Sequence, residues 1–162
     1  MAGAAAPASR GRGRVRIEVV DQARTRDLRR AVLRPNLGVD DPLPGDEVVD
    51  AVHIAALDGD TVVGTCLVYP APCPWRPDER PSWRLRQMAT APERRRAGIG
   101  SAVVAAAIEA VAAGGGGTLW LEAREPAVPL YARHGFVREG PIYVDEQHPT
   151  PHQRMWQLVK SR

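Results

Sequence analysis

Read for its alternation of apolar and polar positions, the chain opens on a strand. Val15-Arg-Ile-Glu-Val-Val20 repeats with a period of two, and Asp21, whose side chain can accept from free N–H groups, predicts a helix beginning near Ala23. That helix sets Leu28, Ala31, Val32 and Leu33 along one face and must stop before Pro35, which drives its predecessor out of helical space. Residues 36–50 are rich in Pro, Gly and Asp and read as a long surface loop. Two apolar runs, 51–57 and 61–69, meet across Asp58-Gly59-Asp60 and predict a hairpin. Residues 70–81 hold five prolines and form a second loop leading to a strand at 83–90, where Arg84 and Arg86 face away from Leu85. Ala91-Pro92-Glu93 turns the chain into an apolar, Ala-rich helix covering 102–113, which Gly114-Gly-Gly-Gly117 ends. A strand at 118–123, a short helix at 127–134, a strand at 136–144, a loop at 145–151 and a closing strand at 154–159 complete the order, with no internal repeat.

The segment ahead of the Ala-rich helix carries the first chemical signal. Arg94-Arg-Arg-Ala-Gly-Ile-Gly-Ser101 passes from a basic run through two closely spaced glycines into a helix N-terminus. The first turn of a helix leaves N–H groups without intrahelical partners and carries a positive partial charge, so it attracts phosphate. Glycines let phosphate oxygens approach the main chain without a Cβ between them.

The spacing Arg95-x-x-Gly98-x-Gly100 resembles the acetyl-CoA signature of the GNAT superfamily of N-acetyltransferases. Thr118-Leu-Trp-Leu-Glu-Ala-Arg124 is similar to the next strand of that family, Ala127-x-x-Leu130-Tyr131 to its fourth helix, and His134-Gly135-Phe136-Val137 to its helix-ending Gly-Phe step. Pro151-His152-x-x-Met155 resembles the ending of the ElaA/YjcF-like subgroup. The resemblance implies an α/β GNAT fold: a mixed, mostly antiparallel central sheet, splayed between two parallel strands and flanked by helices. It also implies acetyl-CoA as co-substrate. The pyrophosphate is then held by main-chain N–H groups from Arg96 through Ala97, Gly98, Ile99 and Gly100 to Ser101, with Arg95 and Arg96 adding charge, and backbone groups of Met88, Ala89 and Thr90 meet the pantetheine arm. The family usually has Gly at the position of Arg96 and often Asn or Gln at that of Arg124, which is expected to donate to the pantetheine instead.

The same resemblance makes Tyr131 the expected general acid, a phenol held against the cofactor to protonate the departing thiolate. The general base stays open between Glu122, which must face opposite Leu121 and Ala123, and His152. His53, set among apolar residues, is expected to be a core histidine. Arg84 and Arg86 offer charge to a carboxylate-bearing substrate or cover the sheet. Arg29 and Arg34 flank a wall of the acceptor cleft, and Trp75 and Trp83 either roof it or belong to the core. The implied activity is N-acetylation of a small-molecule amine by direct transfer in a ternary complex, because no cysteine stands in a nucleophile context. Acetylation of a protein amine, or acetyl-CoA sensing without turnover, are the alternatives.

Composition narrows this picture rather than redirecting it. A chain of 162 residues with 44% hydrophobic content suits one domain, expected over residues 15–162, after a disordered basic tail at 1–14. No apolar run approaches the roughly 18 residues that span a bilayer, so no membrane partner is expected. Cys66 and Cys73 form no disulfide framework, and the four histidines show no metal-ligand spacing, so a metal-free protein of a reducing cytoplasm is expected. The net charge of +3 comes from Arg10, Arg12 and Arg14, which leaves a neutral body and argues against nucleic acid. Dimers are frequent in the family, so a homodimer is one expectation of state.

Overall fold

The computed structural model describes residues 14–162, and the tail expected at 1–14 therefore lies, except for Arg14, outside the described residues. Among them, β1 (Arg16–Val20), β2 (Val52–Asp58), β3 (Thr61–Pro70), β4 (Ser82–Thr90), β5 (Gly117–Arg124), β6 (Val137–Tyr143) and β7 (His152–Val159) form one sheet. Its order is β1-β2-β3-β4-β5-β7-β6. Three α-helices accompany it: α1 (Gln22–Leu33), α2 (Ile99–Ala113) and α3 (Val128–Arg133). Short 3-10 turns, Pro92–Arg94 and Glu125–Ala127, precede the last two.

Every neighbouring pair of strands is antiparallel except β4 and β5. These two are parallel and stay together only through Ser82–Thr118, Trp83–Leu119 and Arg84–Trp120. Beyond Arg84 and Trp120 they part. On its other edge β4 carries an extra residue relative to β3, the register shifting between Thr65 and Leu67, and Gln87 adopts a left-handed φ of 56° there. A bulge of this kind bends its strand and increases its twist, so β4 turns out of the plane that β5 continues. This is the sheet, splayed between two parallel strands, that the sequence implied.

Helix α2 covers one face of the sheet. Val103, Val104, Ala107 and Val111 pack with Ile54, Ala56, Cys66, Val68, Leu85, Leu119 and Leu121 into a single core. Gly64 sets how closely helix and sheet approach, since a Cβ there would lie 2.5 Å from Ile99 Cγ2. Trp83 belongs to this core side, its ring against Gly114 and its indole N–H donating to the Gly116 carbonyl at 3.0 Å. It does not roof the cleft.

Helix α1 starts as expected, with Asp21 Oδ1 accepting from the Ala23 N–H at 2.9 Å. Its buried face differs from the apolar one expected. Thr25 and Arg29 are the buried positions, Ala31 is exposed, and Leu28, Val32 and Leu33 are only half-buried. The reason is polar. The Arg29 guanidinium, 1% exposed, donates to Asp46 Oδ1 at 2.9 Å and to the Pro44 carbonyl at 2.7 Å, and so ties loop 34–51 to the helix. Arg29 is thereby used up inside the fold and cannot line a cleft wall. The last strand begins at His152 rather than Arg154, because Arg124 and Ala123 of β5 pair with His152 and Gln153.

Candidate active site

The parted strands leave a gap with two dissimilar faces, and on the α2 face the sequence provides donors. Residues 95–98 are exposed, Arg96 has φ 64°, and Gly98, the N-cap of α2, has φ 79° with no side-chain cap. Among the described residues nothing accepts from the N–H groups of residues 96–101, while the Ala102 N–H closes the first helical bond to Gly98. Successive free N–H groups in a loop that visits left-handed conformations form an anion-binding concavity. Ile99 contributes only its main chain, because its side chain is buried. A Cβ on Gly100 would meet Leu130 Cδ2 at 3.4 Å and Thr90 Oγ1 at 3.7 Å, which are ordinary contacts. The protein's own packing therefore does not demand glycine there, whereas a group approaching the N–H cradle does. Ser101 Oγ shares a 2.7 Å hydrogen bond with His134 Nε2, joining the start of α2 to the end of α3.

From the cradle the open edge of β4 leads into the gap. Ala89 and Thr90 pair on one side with Thr65 and Gly64, and beyond Arg84 the opposite edge has no strand partner among the described residues. An extended amide-bearing chain can add there as a strand would, whatever the side chains of Met88, Ala89 and Thr90.

Tyr131 stands on α3 on this same face, 5% exposed, edge-on to Phe136 at 5.7 Å between centroids. Among the described residues its hydroxyl has no hydrogen-bond partner. Burial pushes its pKa well above that of an ordinary phenol, and nearby Cys66 adds to the shift. The same burial pushes the Cys66 thiol up to about 12. Cys73 is fully buried as well, and burial raises its thiol pKa.

The opposite face carries a connected polar cluster. Trp120, Glu122 and Arg124 of β5 alternate with the core residues Leu119, Leu121 and Ala123, as expected of a strand. Glu122 Oε2 accepts from the Tyr143 hydroxyl at 3.0 Å and lies 2.5 Å from His148 Nε2, and its Oε1 lies 3.5 Å from Arg84 Nη2. His148 Nδ1 donates to Asp145 Oδ1 at 3.0 Å. The His152 ring lies 4.6 Å from that of His148, and its Nδ1 is 2.6 Å from the Thr150 carbonyl. A carbonyl can only accept, so Nδ1 is the donor and Nε2 is the ring nitrogen without a hydrogen bond among the described residues. Burial and hydrogen bonding to Glu122 raise the Tyr143 pKa, so that phenol stays protonated and donating.

The structure thus brings together Glu122 and His152, and it does so through His148, which the sequence reading passed over. The available signal was His-Pro-Thr-Pro-His at 148–152, two histidines flanking prolines in one short segment. His53 is not part of the cluster. It is buried on β2 beside Arg29, its Nδ1 has no partner among the described residues, and burial lowers its pKa, aided by the Arg29 charge. Arg124 ends β5, exposed, as the register partner of His152. Arg86 reaches the Tyr69 hydroxyl at 3.2 Å and Glu47 at 3.8 Å, and Trp75 stacks edge-on against Trp120 at 5.2 Å. Arg34 donates to the Leu33 carbonyl, away from this cluster.

Comparison with known proteins agrees with this fold. Residues 21–136 match the family model described as Acetyltransferase (GNAT) family. No curated protein sequence matches the chain significantly. Among solved structures, an aminoglycoside 6'-N-acetyltransferase complexed with coenzyme A superposes with a TM-score of 0.70 at 18% identity, over 91% of this chain and 98% of its own. The ribosomal-protein-S18-alanine N-acetyltransferase of Escherichia coli gives 0.68 at 15% identity, over 92% and 96%. Escherichia coli ElaA gives 0.67 at 16% identity, over 89% and 98%. At such identities the likeness is one of fold.

Proposed function

The chain belongs to the GNAT acetyltransferase family, and from that premise we propose that it moves the acetyl group of acetyl-CoA onto the primary amine of a small molecule, by direct transfer in a ternary complex. One observation carries the reading: the gap between β4 and β5 has the buried Tyr131 phenol on one face and, on the other, His152, whose Nδ1 is turned to the Thr150 carbonyl so that Nε2 is the ring nitrogen left to meet an acceptor amine. The N–H groups of residues 96–101, with Arg95 and Arg96, hold the pyrophosphate, and the free edge of β4 holds the pantetheine arm. Acetyl-CoA, when bound, supplies an acyl group activated as a thioester.

His152 Nε2 is the site that takes the proton of the acceptor amine. Glu122 is less suited to that task, since Arg84, Tyr143 and His148 already engage both of its oxygens, and it acts instead by holding His148 and Tyr143 in place. Tyr131 gives its proton to the leaving sulfur. A phenol of raised pKa is a feeble acid toward a solvated thiolate, but a thiolate in the same buried setting is more basic, as Cys66 illustrates. Neither cysteine suits a covalent intermediate, for both are buried with their thiols pushed up.

The fold itself accommodates acceptors of different kinds, as the aminoglycoside and ribosomal-protein enzymes illustrate, so the preference for a small acceptor rests on the loops. Loop 34–51 is pinned by Arg29 and buries Leu43, and the loop after β3 is pinned by Cys73 and by the Trp120 indole donating to Ala71. Both stand beside the polar face and narrow it against a peptide.

The test is thiol release from acetyl-CoA across a panel of amines. Tyr131→Phe is expected to lower kcat about a hundredfold or more, the usual worth of a positioned general acid, with the Kd for acetyl-CoA nearly unchanged. Turnover equal to that of the wild type reduces Tyr131 to a packing residue, and tight acetyl-CoA binding without turnover on any amine favours a sensor.

A further inference from the structure

On the polar face, carboxylates and guanidinium groups are not matched in their commitments. Glu122 and Glu139, the carboxylates that β5 and β6 place there, are both engaged: Glu122 by Arg84, Tyr143 and His148, Glu139 by the Trp156 indole at 3.0 Å and by Arg76 at 3.7 Å. In the adjoining loops Asp145 is held by His148, and Glu47 by Arg86 and the Gly45 N–H. Glu125 and Glu146, in the segments that follow β5 and β6, are exposed. Of the arginines, Arg84 and Arg86 are taken up by Glu122, Tyr69 and Glu47. Arg154 and Arg124 are different. Among the described residues neither makes an ion pair or a side-chain hydrogen bond.

Resting on the acetyl-transfer reading above, we propose that the acceptor is an amine that also bears a carboxylate, and that Arg154 and Arg124 receive that carboxylate beside His152. The sheet register sets the two there. Arg124 is the direct partner of His152 across β5 and β7, and Arg154 lies two residues along β7 on the same face, opposite Glu122. Arg124 and Arg154 are thus diagonal neighbours whose side chains start about 7 to 8 Å apart, within reach of one small ligand. The Arg154 guanidinium is already oriented by two aromatic faces, 5.4 Å from the Trp75 centroid and 5.2 Å from that of Tyr143. Those stacking contacts leave its N–H fork free, and that fork matches a carboxylate in two parallel hydrogen bonds. A polycationic amine finds the opposite: its spare ammonium groups meet strand-borne carboxylates already taken, and two bare guanidinium groups that repel it.

Matched pairs test the assignment, each an amino acid and its own carboxamide, glycine with glycinamide and β-alanine with its amide among them, in the thiol-release assay with the full chain. The amide's amine is the less basic and the more fully deprotonated near neutral pH, so a preference for the carboxylate member cannot arise from amine ionisation. The expected result is a kcat/KM for the acid at least about tenfold above that for the amide, with the ratio cut severalfold in Arg154→Gln and in Arg124→Gln. Because the ratio is internal to each variant, a general loss of activity does not mimic its collapse, and Arg124 is exposed at a strand end where substitution leaves the fold intact. A wild-type ratio of one or below, or a ratio that survives both substitutions, overturns the assignment while leaving acetyl transfer standing. Failure of every amine in both forms overturns acetyl transfer and this inference with it.

Discussion

At the scale of single residues, Arg96 is the departure from pattern that says most. A φ of 64° costs an L-residue about 1–2 kcal/mol, and the loop nonetheless places an arginine there, exposed beside the N–H cradle. Arg96→Gly is expected to raise the thermal midpoint, since relief of that conformation outweighs the extra chain entropy of glycine by up to about 1 kcal/mol. It is also expected to weaken acetyl-CoA binding severalfold through the lost charge, as calorimetric titration would read. An unchanged Kd would make Arg96 a solvated side chain with no part in the site. Residue-level legibility divides along similar lines. Gly98, Gly100 and Tyr131 were singled out through the family resemblance, whose motifs lie among neighbours close in sequence. His148 was passed over although its proline-flanked pairing with His152 stands in the sequence, since its meaning comes from Glu122, which only the pairing of β5 with β7 and β6 brings near.

At the scale of elements, strands were the most legible part of the chain, as a period of two in β1 and as unbroken apolar runs in β2 and β3, which are buried on both faces. β7 started two residues earlier than its apolar pattern because pairing with β5, not hydrophobicity, decides where His152 and Gln153 lie. α1 shows the converse limit. Its apolar residues suggested one face, but the element it packs beside is polar, and a buried Arg29–Asp46 pair outcompetes Ala31 for the interior. The parting of β4 and β5 was visible only through family resemblance. Nothing in the composition of either strand announces it, because its local cause is a left-handed Gln87, a conformation that glycine or asparagine would have advertised and glutamine does not.

At the scale of the whole molecule, buried His53 and half-buried Asp46 shape the response to acid. His53 has its pKa depressed below its ordinary 6.5 by burial and by Arg29, so the unfolded chain binds its proton first and stability falls as pH drops below about 6.5. Asp46 follows at lower pH. Burial alone would raise its pKa, but hydrogen bonds from Leu43, Gln22 and Arg29, with the Arg29 charge, hold it below the ordinary 3.8, so its contribution is present above that value and is lost as pH falls through the folded one. The thermal midpoint should therefore decline between pH 7 and 5, before carboxylates titrate, and His53→Gln should flatten that first decline. An unaltered slope in the variant would assign the acid sensitivity to other groups.

The account depends above all on a cofactor held across the gap between β4 and β5, and the most direct measurement is the thermal midpoint with and without excess acetyl-CoA. Ligand at a hundredfold excess over Kd stabilises the native state by about 2.7 kcal/mol, which for a chain of this size is a rise of roughly 5–10 °C. The expected result is a rise of that order which adenosine does not reproduce and which Tyr131→Phe retains. No rise at millimolar acetyl-CoA would contradict the account, leaving residues 95–101 a basic turn before a helix.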